Sequence, residues 1–482
     1  MGNLNSLVHQ LVLLPSEYEW LEFKVNNTDP LMIGEDISAL ANGAAFCDHP
    51  KAYLVWGVDD KTHEVVGTSF KPEQAKKGNQ DLEMWLRTQL SENADFSIDS
   101  DEYEGKPIVV MTVCRAIERT VMFQRTEFIR VGSNTKKLND VPNMKAVLWD
   151  HLRSQRFEDL YSAQDLSINE VLDSLDYPTY FELQHKPIPN GVESIIHYLK
   201  EDCLIDRQDD GNYAITNLGA ILLAKRLQQF PTVFRKAARV VQYRNDSRTE
   251  IVREMTDDRG FAVCYESLIQ LIEALIPAHE EMIDGRRKTV FAFPDIAIRE
   301  MVANALIHQD LSMRGTGPLI ELFSNRIEIT NPGIPLIEIS RIIDNPPRSR
   351  NEKLAALMRR FHICEESGSG WDKTIESCEL VQLPAPKIQL YTDSVRITLY
   401  SDIPYAELKP EDKLWACYMH ACIQYVNDKE MTNTTLRNRF GLDESYKSQT
   451  SRLIRLAIEK QLIKPFDEST APRYMRYIPA WA

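Results

Sequence analysis

Glu300, Asn304 and His308 recur every four residues in the stretch IREMVANALIHQD, residues 298–310. On a helix that spacing stacks the three side chains on one face. An acid, an amide and an imidazole in one row can hold an ion or a phosphate. The alternative is a solvated polar face beside the apolar stripe of Ile298, Met301, Val302, Leu306 and Ile307. A second set of chemistry-bearing residues comes early: Glu17, Glu22 and Asp59. If the strands near them pair, their carboxylates converge at one edge and can bind Mg2+ or Mn2+, which activates water for phosphodiester cleavage. Lys24 faces the same way as Glu22 and could hold a phosphate. Against this, acids in turns are usually just solvated.

Other polar groups could join these two sets. Ser367, Gly368, Ser369 and Gly370 precede a helix beginning near Trp371, after a loop at Gly315-Thr316-Gly317. Glycines allow close backbone approach and a helix start aims N–H groups outward, which suits a polyphosphate. Arg130, Lys136 and Lys137 lie on either side of the glycine turn Gly132-Ser133 and are candidate nucleic-acid contacts. The recognition-helix candidate in the last segment carries Lys447, Arg452 and Arg455, which could meet phosphates and base edges.

The elements that must position these residues read as an α/β multidomain chain. Residues 1–145 alternate strands at Trp20 to Lys24, Ala52 to Val58, Pro107 to Ala116 and Glu127 to Val131 with a helix from Ile33 to Phe46. Residues 146–285 form a connector with helix, hairpin and helix in winged-helix-like order. Its acidic wing, with Asp202, Asp206, Asp209 and Asp210, favours a spacer over a DNA reader. Residues 286–402 hold the opening helix, antiparallel strands around Ser324-Asn325, a basic loop at Arg348 to Asn351 and two further helices. Residues 403–482 have the helix, short helix, long helix and terminal strand order of a winged helix, with Ser445 to Lys460 as recognition helix. A dimerisation or docking module of the same fold is the alternative.

At 482 residues, and roughly 100–200 residues per domain, three or four domains are expected. The net charge of −15 excludes indiscriminate nucleic-acid binding, so any such contact must be a local basic patch. The eight cysteines include no C-x-x-C pair, which argues against zinc and disulfide frameworks and fits a reducing cytosol. No apolar run has the length of a membrane span, and the first residues lack a signal peptide's basic region. The expectation is a cytoplasmic protein with no membrane partner.

Two stretches resemble known families. Glu17-x-Glu19-Trp20-x-Glu22-Phe23-Lys24-x-Asn26, then Ile33 to Asn42, Tyr53 to Asp60, Thr62 to Thr68 and Arg130-Val131-Gly132-Ser133, resemble the Schlafen AlbA-like domain across about the first 140 residues. In its endoribonuclease members three acids are catalytic, and the resemblance puts them on Glu17, Glu22 and Asp59. Other members are DNA-binding domains of transcriptional regulators. Residues 286–402 resemble the GHKL ATPase superfamily, an α/β sandwich. Glu300-x-x-x-Asn304 matches its N-box, which implies that Asn304 coordinates Mg2+ through the phosphates while Glu300 orients water, with His308 in support. Asn331-Pro332-Gly333 stands where an Asp usually reads adenine. Ser367 to Gly370 matches the phosphate-binding lid, and Arg350 is a candidate γ-phosphate contact.

These features imply an ATP-binding protein acting on RNA or DNA, with Mg2+ or Mn2+ as ion and a homo-oligomer as the working form. One reading is an ATP-controlled, metal-dependent nuclease of a bacterial anti-phage system. The other is a non-enzymatic, nucleotide-responsive DNA-binding transcriptional regulator.

Overall fold

The computed structural model describes all residues except 1, 155, 284–285, 347 and 365–369. By their internal packing they form two units, Met1–Arg156 with Arg207–Tyr213, and Phe157–Asp206 with Ala214–Ala482.

The first unit begins with the helix Gly2–Val12 (α1), followed by Leu21–Lys24 (β1), Pro30–Phe46 (α2), Lys51–Trp56 (β2), Phe96–Tyr103 (β3) and Lys106–Cys114 (β4). The strands order as β1-β2-β4-β3; β1 and β2 are parallel and the other neighbours antiparallel. Side chains alternate across a strand, so each strand serves two faces. Leu54, Trp56, Val109, Met111 and Val113 form one core with Ile33, Ile37 and Leu40 of α2. Leu21, Phe23, Tyr53, Val55, Ile108 and Val110 form the other with Leu7, Val8 and Leu11 of α1. The α2 helix starts where Asp29 accepts the Leu31 N–H and Pro30 presets the first turn. Its Gly43 is required by packing, because a Cβ there would stand 2.0 Å from the Glu19 carbonyl oxygen. Thr126–Val131 (β5) and Asn134–Lys137 (β6) form a hairpin about Gly132, whose φ of 58° suits glycine. Ser38 and Asn42 of α2 tie this hairpin down through the Phe128 backbone.

The second unit is organised by a six-stranded sheet. Its strands are Arg239–Tyr243 (β7), Ile251–Thr256 (β8), Leu319–Leu322 (β9), Arg326–Pro332 (β10), Lys387–Leu390 (β11) and Ser394–Tyr400 (β12), in the order β8-β7-β9-β10-β12-β11. Only β7 and β9 pair in parallel among these neighbours, and the crossover between them carries Phe261–Leu275 (α3) and Asp295–His308 (α4). Ile272 of α3 and Ile298, Met301 and Val302 of α4 pack on Ile320, Ile327, Ile329 and Leu399 without a water-sized void. The expected division between residues 285 and 286 therefore cuts through one core. The cause is a non-local strand pairing, which draws β7, β8 and α3 into the same layer as β9 to β12.

Glu352–Arg360 (α5) and Gly370–Leu380 (α6) follow in the second unit. The last segment holds Pro410–Val426 (α7), Asn433–Arg439 (α8), Lys447–Glu459 (α9) and a small antiparallel pair, Ile463–Pro465 (β13) with Tyr477–Pro479 (β14). Its core is shared with α6 through Ile375. No helix among the described residues is long and apolar enough to cross a membrane.

Candidate functional site

Residues 298–310 form a helix as expected, but its bounds are Asp295 to His308, because Gln309 turns extended with ψ of 151°. The apolar stripe of Ile298, Met301, Val302, Leu306 and Ile307 is buried throughout. So is Glu300, at 8% exposure, which excludes a solvated face at that position. Asn304 and His308 are partly exposed. Glu300 lies against the first residue of α6: a Cβ on Gly370 would come within 2.3 Å of its carboxylate. The proposed lid residues Ser367, Gly368 and Ser369 lie outside the described residues.

The far end of α4 is held by two residues, Asn351 and Asp310, and the start of α5 by a third, Glu158, whose roles the spacing did not indicate. Asn351, buried in the loop before α5, donates its Nδ2 to the Ile307 and Gln309 carbonyls at 2.7 and 2.9 Å. It thereby satisfies carbonyl groups that a helix end leaves without partners. Asp310 donates its backbone N–H to Pro332 at the end of β10 and accepts from Arg350 Nη1 at 2.8 Å. Glu158, itself buried, accepts the Lys353 and Leu354 N–H groups and caps α5. Arg350 also donates to the Ile334 carbonyl at 2.5 Å and lies across Gly333. That glycine has φ of 96°, and a Cβ there would meet Arg350 at 2.7 Å. Asn331 is buried in β10 opposite Val395. Burial, then Arg350 and Arg359, bring the His308 imidazole down to about 4. The cations that disfavour a second positive charge there would favour an anion. Arg359 was not apparent from the sequence, since it sits on α5, beyond two strands from the row it influences.

In the first unit Glu17, Glu22 and Lys24 do come together, with two residues of other elements. Arg130, at 1% exposure, sits between the glutamates and bonds Glu22 and, at 3.0 Å, Glu17. Lys24 lies 3.3 Å from Glu22 and 2.7 Å from Asp36 of α2. Burial raises the Glu22 pKa above its ordinary value even though Arg130 opposes it. Burial pulls the Lys24 ammonium down, but Asp36 and Glu22 outweigh it and its pKa is raised. The expectation of Arg130 as a nucleic-acid contact is corrected: the guanidinium is interior. Lys136 and Lys137 are exposed on β6.

Asp59 does not join the cluster. Its carboxylate accepts the Lys61 and Thr62 N–H groups and the Thr62 hydroxyl inside its own turn, which lowers its pKa. The turn closes with His63 against Phe23, 4.9 Å between rings. Phe23 and Glu22 are consecutive strand residues and point to opposite faces. No group of three acidic, histidine or cysteine side chains among the described residues is placed to hold a metal ion.

Lys447, Arg452 and Arg455 are exposed on the outer side of α9, while Thr450, Leu453, Ile454 and Ala457 are buried beneath them. Asn433 of α8 sets the angle of α9 by donating to the Lys447 carbonyl and the Ser451 hydroxyl.

Residues 17–139 match the family described as "Schlafen, AlbA_2", and residues 315–399 match the family described as "Putative ATP-dependent DNA helicase recG C-terminal". A solved structure of the DIP2311 protein from Corynebacterium diphtheriae aligns over 99% of this chain and 98% of its own, at 15% identity and a TM-score of 0.43. No curated protein matches the chain.

Proposed function

We propose that the second unit binds ATP with Mg2+, and that the chain is an ATP-responsive, nucleic-acid-binding regulator. The supporting observation is α6. Its first residue packs on Glu300, and near its end Glu379 pairs with His420 of α7 at 2.8 Å and with Arg439 of α8 at 3.6 Å. One helix thus belongs both to the candidate nucleotide site and to the base on which α9 stands. The residues present fit the ligand: Asn304 would hold Mg2+ through its amide oxygen, Arg350 and Arg359 would take phosphate charge, and Glu300 would orient water. Gly370 would approach the phosphates, and Asn331 with Gly333 would border the base. Bound Mg2+ would offset charge on the phosphate oxygens. On α9, Lys447, Arg452 and Arg455 would contact the nucleic-acid backbone, with Lys136 and Lys137 as a second basic strip.

A metal-dependent nuclease, with the anti-phage role it implies, needs Glu17, Glu22 and Asp59 on one ion. The turn that holds Asp59 and the guanidinium between the two glutamates favour the regulator.

The test is fluorescence anisotropy of the full chain on duplex DNA, single-stranded RNA and tRNA, across salt, with and without ATP–Mg2+. Light scattering on the same samples reads oligomeric state. Duplex affinity should change with ATP–Mg2+, and Asn304→Ala should remove that response. Arg452→Ala with Arg455→Ala should weaken binding and reduce the salt slope by about 2. No duplex binding at low salt, or binding indifferent to ATP–Mg2+, would refute the proposal.

A further inference from the structure

Glu17, Arg130, Glu22, Lys24 and Asp36 alternate in sign along one buried line, and every carboxylate oxygen in it is engaged. Glu17 accepts the Phe23 N–H at 2.8 Å on one oxygen and Arg130 on the other. Glu22 meets Arg130 and Lys24. Asp36 meets Lys24 and, at 3.1 Å, the Thr135 hydroxyl. The side chains are between 1% and 14% exposed. Three carboxylates against two cations leave a net charge of −1, whereas a divalent ion in a carboxylate site takes the place between the acids that Arg130 fills.

We propose that Arg130 and Lys24 are the resident cations of this cluster, so that it forms a metal-free ion ladder whose role is to clamp the β5–β6 hairpin onto β1 and α2. A guanidinium stays charged at any ordinary pH and forks onto two carboxylates, so it cannot leave by losing its proton. Mg2+ would have to evict it and strand a buried charge, while keeping the near-octahedral water shell that ion demands. The ladder joins three elements that are far apart in sequence: β1 through Glu22 and Lys24, α2 through Asp36, and the hairpin through Arg130 and Thr135. Lys136 and Lys137 are on the strand so clamped, so the cluster presents cations to a polyanion and does not cleave it. The inference is independent of the nucleotide site and stands or falls without it.

The test is titration of the nucleotide-free full chain with Mn2+, read by the loss of the free-ion electron paramagnetic resonance signal. Wild type and Glu22→Gln should give the same curve. Arg130→Gln should gain one bound ion, and adding Glu17→Gln to that variant should remove it. Near-ultraviolet circular dichroism checks folding. If Arg130→Gln does not fold, Arg130→Lys, which keeps the charge, should fold and remain free of Mn2+. The proposal is overturned if wild type binds an ion that Glu22→Gln loses, if folded Arg130→Gln gains none, if Arg130→Lys binds Mn2+, or if wild type shows Mn2+-dependent cleavage of RNA or DNA that Glu22→Gln abolishes.

Discussion

Replacing Asn351 tests whether the C-terminal end of α4 is held as described. The side chain is buried at 4% exposure, and its Nδ2 is shared between the Ile307 and Gln309 carbonyls at 2.7 and 2.9 Å. Alanine removes two hydrogen bonds, each contributing about 1 kcal/mol net, and leaves buried acceptors whose desolvation is no longer offset, a further roughly 1–3 kcal/mol. The expected loss is therefore about 3–5 kcal/mol in the second unit. Asn351→Asp is the sharper control. It keeps the shape but turns the donor into an anion facing two carbonyls, so at neutral pH it should cost more than alanine and recover partly as the carboxyl protonates. Because Asn351 adjoins Arg350, which crosses Gly333, both variants should also weaken ATP–Mg2+ binding. Urea unfolding followed by far-ultraviolet circular dichroism reads the stability, and calorimetric titration reads the ligand. A change in stability below about 0.5 kcal/mol, the range of ordinary surface substitutions, would refute the reasoning.

Two further outcomes follow from ionisable groups of the second unit. The His308 pKa is lowered from 6.5 to about 4, so the unfolded chain binds a proton there before the folded one does. The stability this represents is fully present above 6.5 and is lost as pH falls towards 4, a loss on the order of 3 kcal/mol. Urea midpoints of wild type should fall across that window more steeply than those of His308→Gln; parallel curves would show that the imidazole is not held neutral. Glu379→Ala leaves Arg439, at 4% exposure, without its carboxylate and should cost about 3–5 kcal/mol, read by thermal unfolding. A variant unfolding at the wild-type temperature would show that the pair contributes nothing.

The helical row and its apolar stripe were legible in the sequence, because a period of four and a burial pattern are local properties. The Glu22 and Lys24 pairing was legible for the same reason, since strand alternation puts both on one face. What escaped were contacts made at long sequence distance. Arg130 lies near the end of a strand, beside a glycine turn, and reads as an exposed cation; only the fold reveals that the hairpin carries it between two glutamates. Asp36 is hidden in an apolar run, where an acid looks like a helix surface position. Asp59 lies three residues beyond its strand, which ends at Trp56, and local turn hydrogen bonds and strand parity hold it apart from Glu22. Asn351 serves the end of α4 from the loop before α5, and Asp310, two residues beyond the helix, bonds to the end of β10; neither position has a spacing that announces it. The pairing of β7 with β9, across two intervening helices, likewise has no local signature.

The arrangement of α6 limits how ATP can act on the C-terminal helices. Eleven residues of helix span about 16 Å, too short and regular to bend without breaking backbone bonds. Moving its first turn against Glu300 therefore moves Glu379 with it. Glu379 cannot slide freely, because its partners His420 and Arg439 are both buried and on different helices. On the proposed reading the two ends would shift together, as in a two-state element biased from either side. A ligand shifts such an equilibrium only by its differential affinity for the two states, and the coupling is reciprocal. Any factor by which ATP–Mg2+ changes duplex affinity must then reappear as the factor by which duplex changes ATP–Mg2+ affinity. In a chain folded but lacking the Glu379 carboxylate, both factors should collapse towards one together. Loss of only one of them would rule out α6 as the connection.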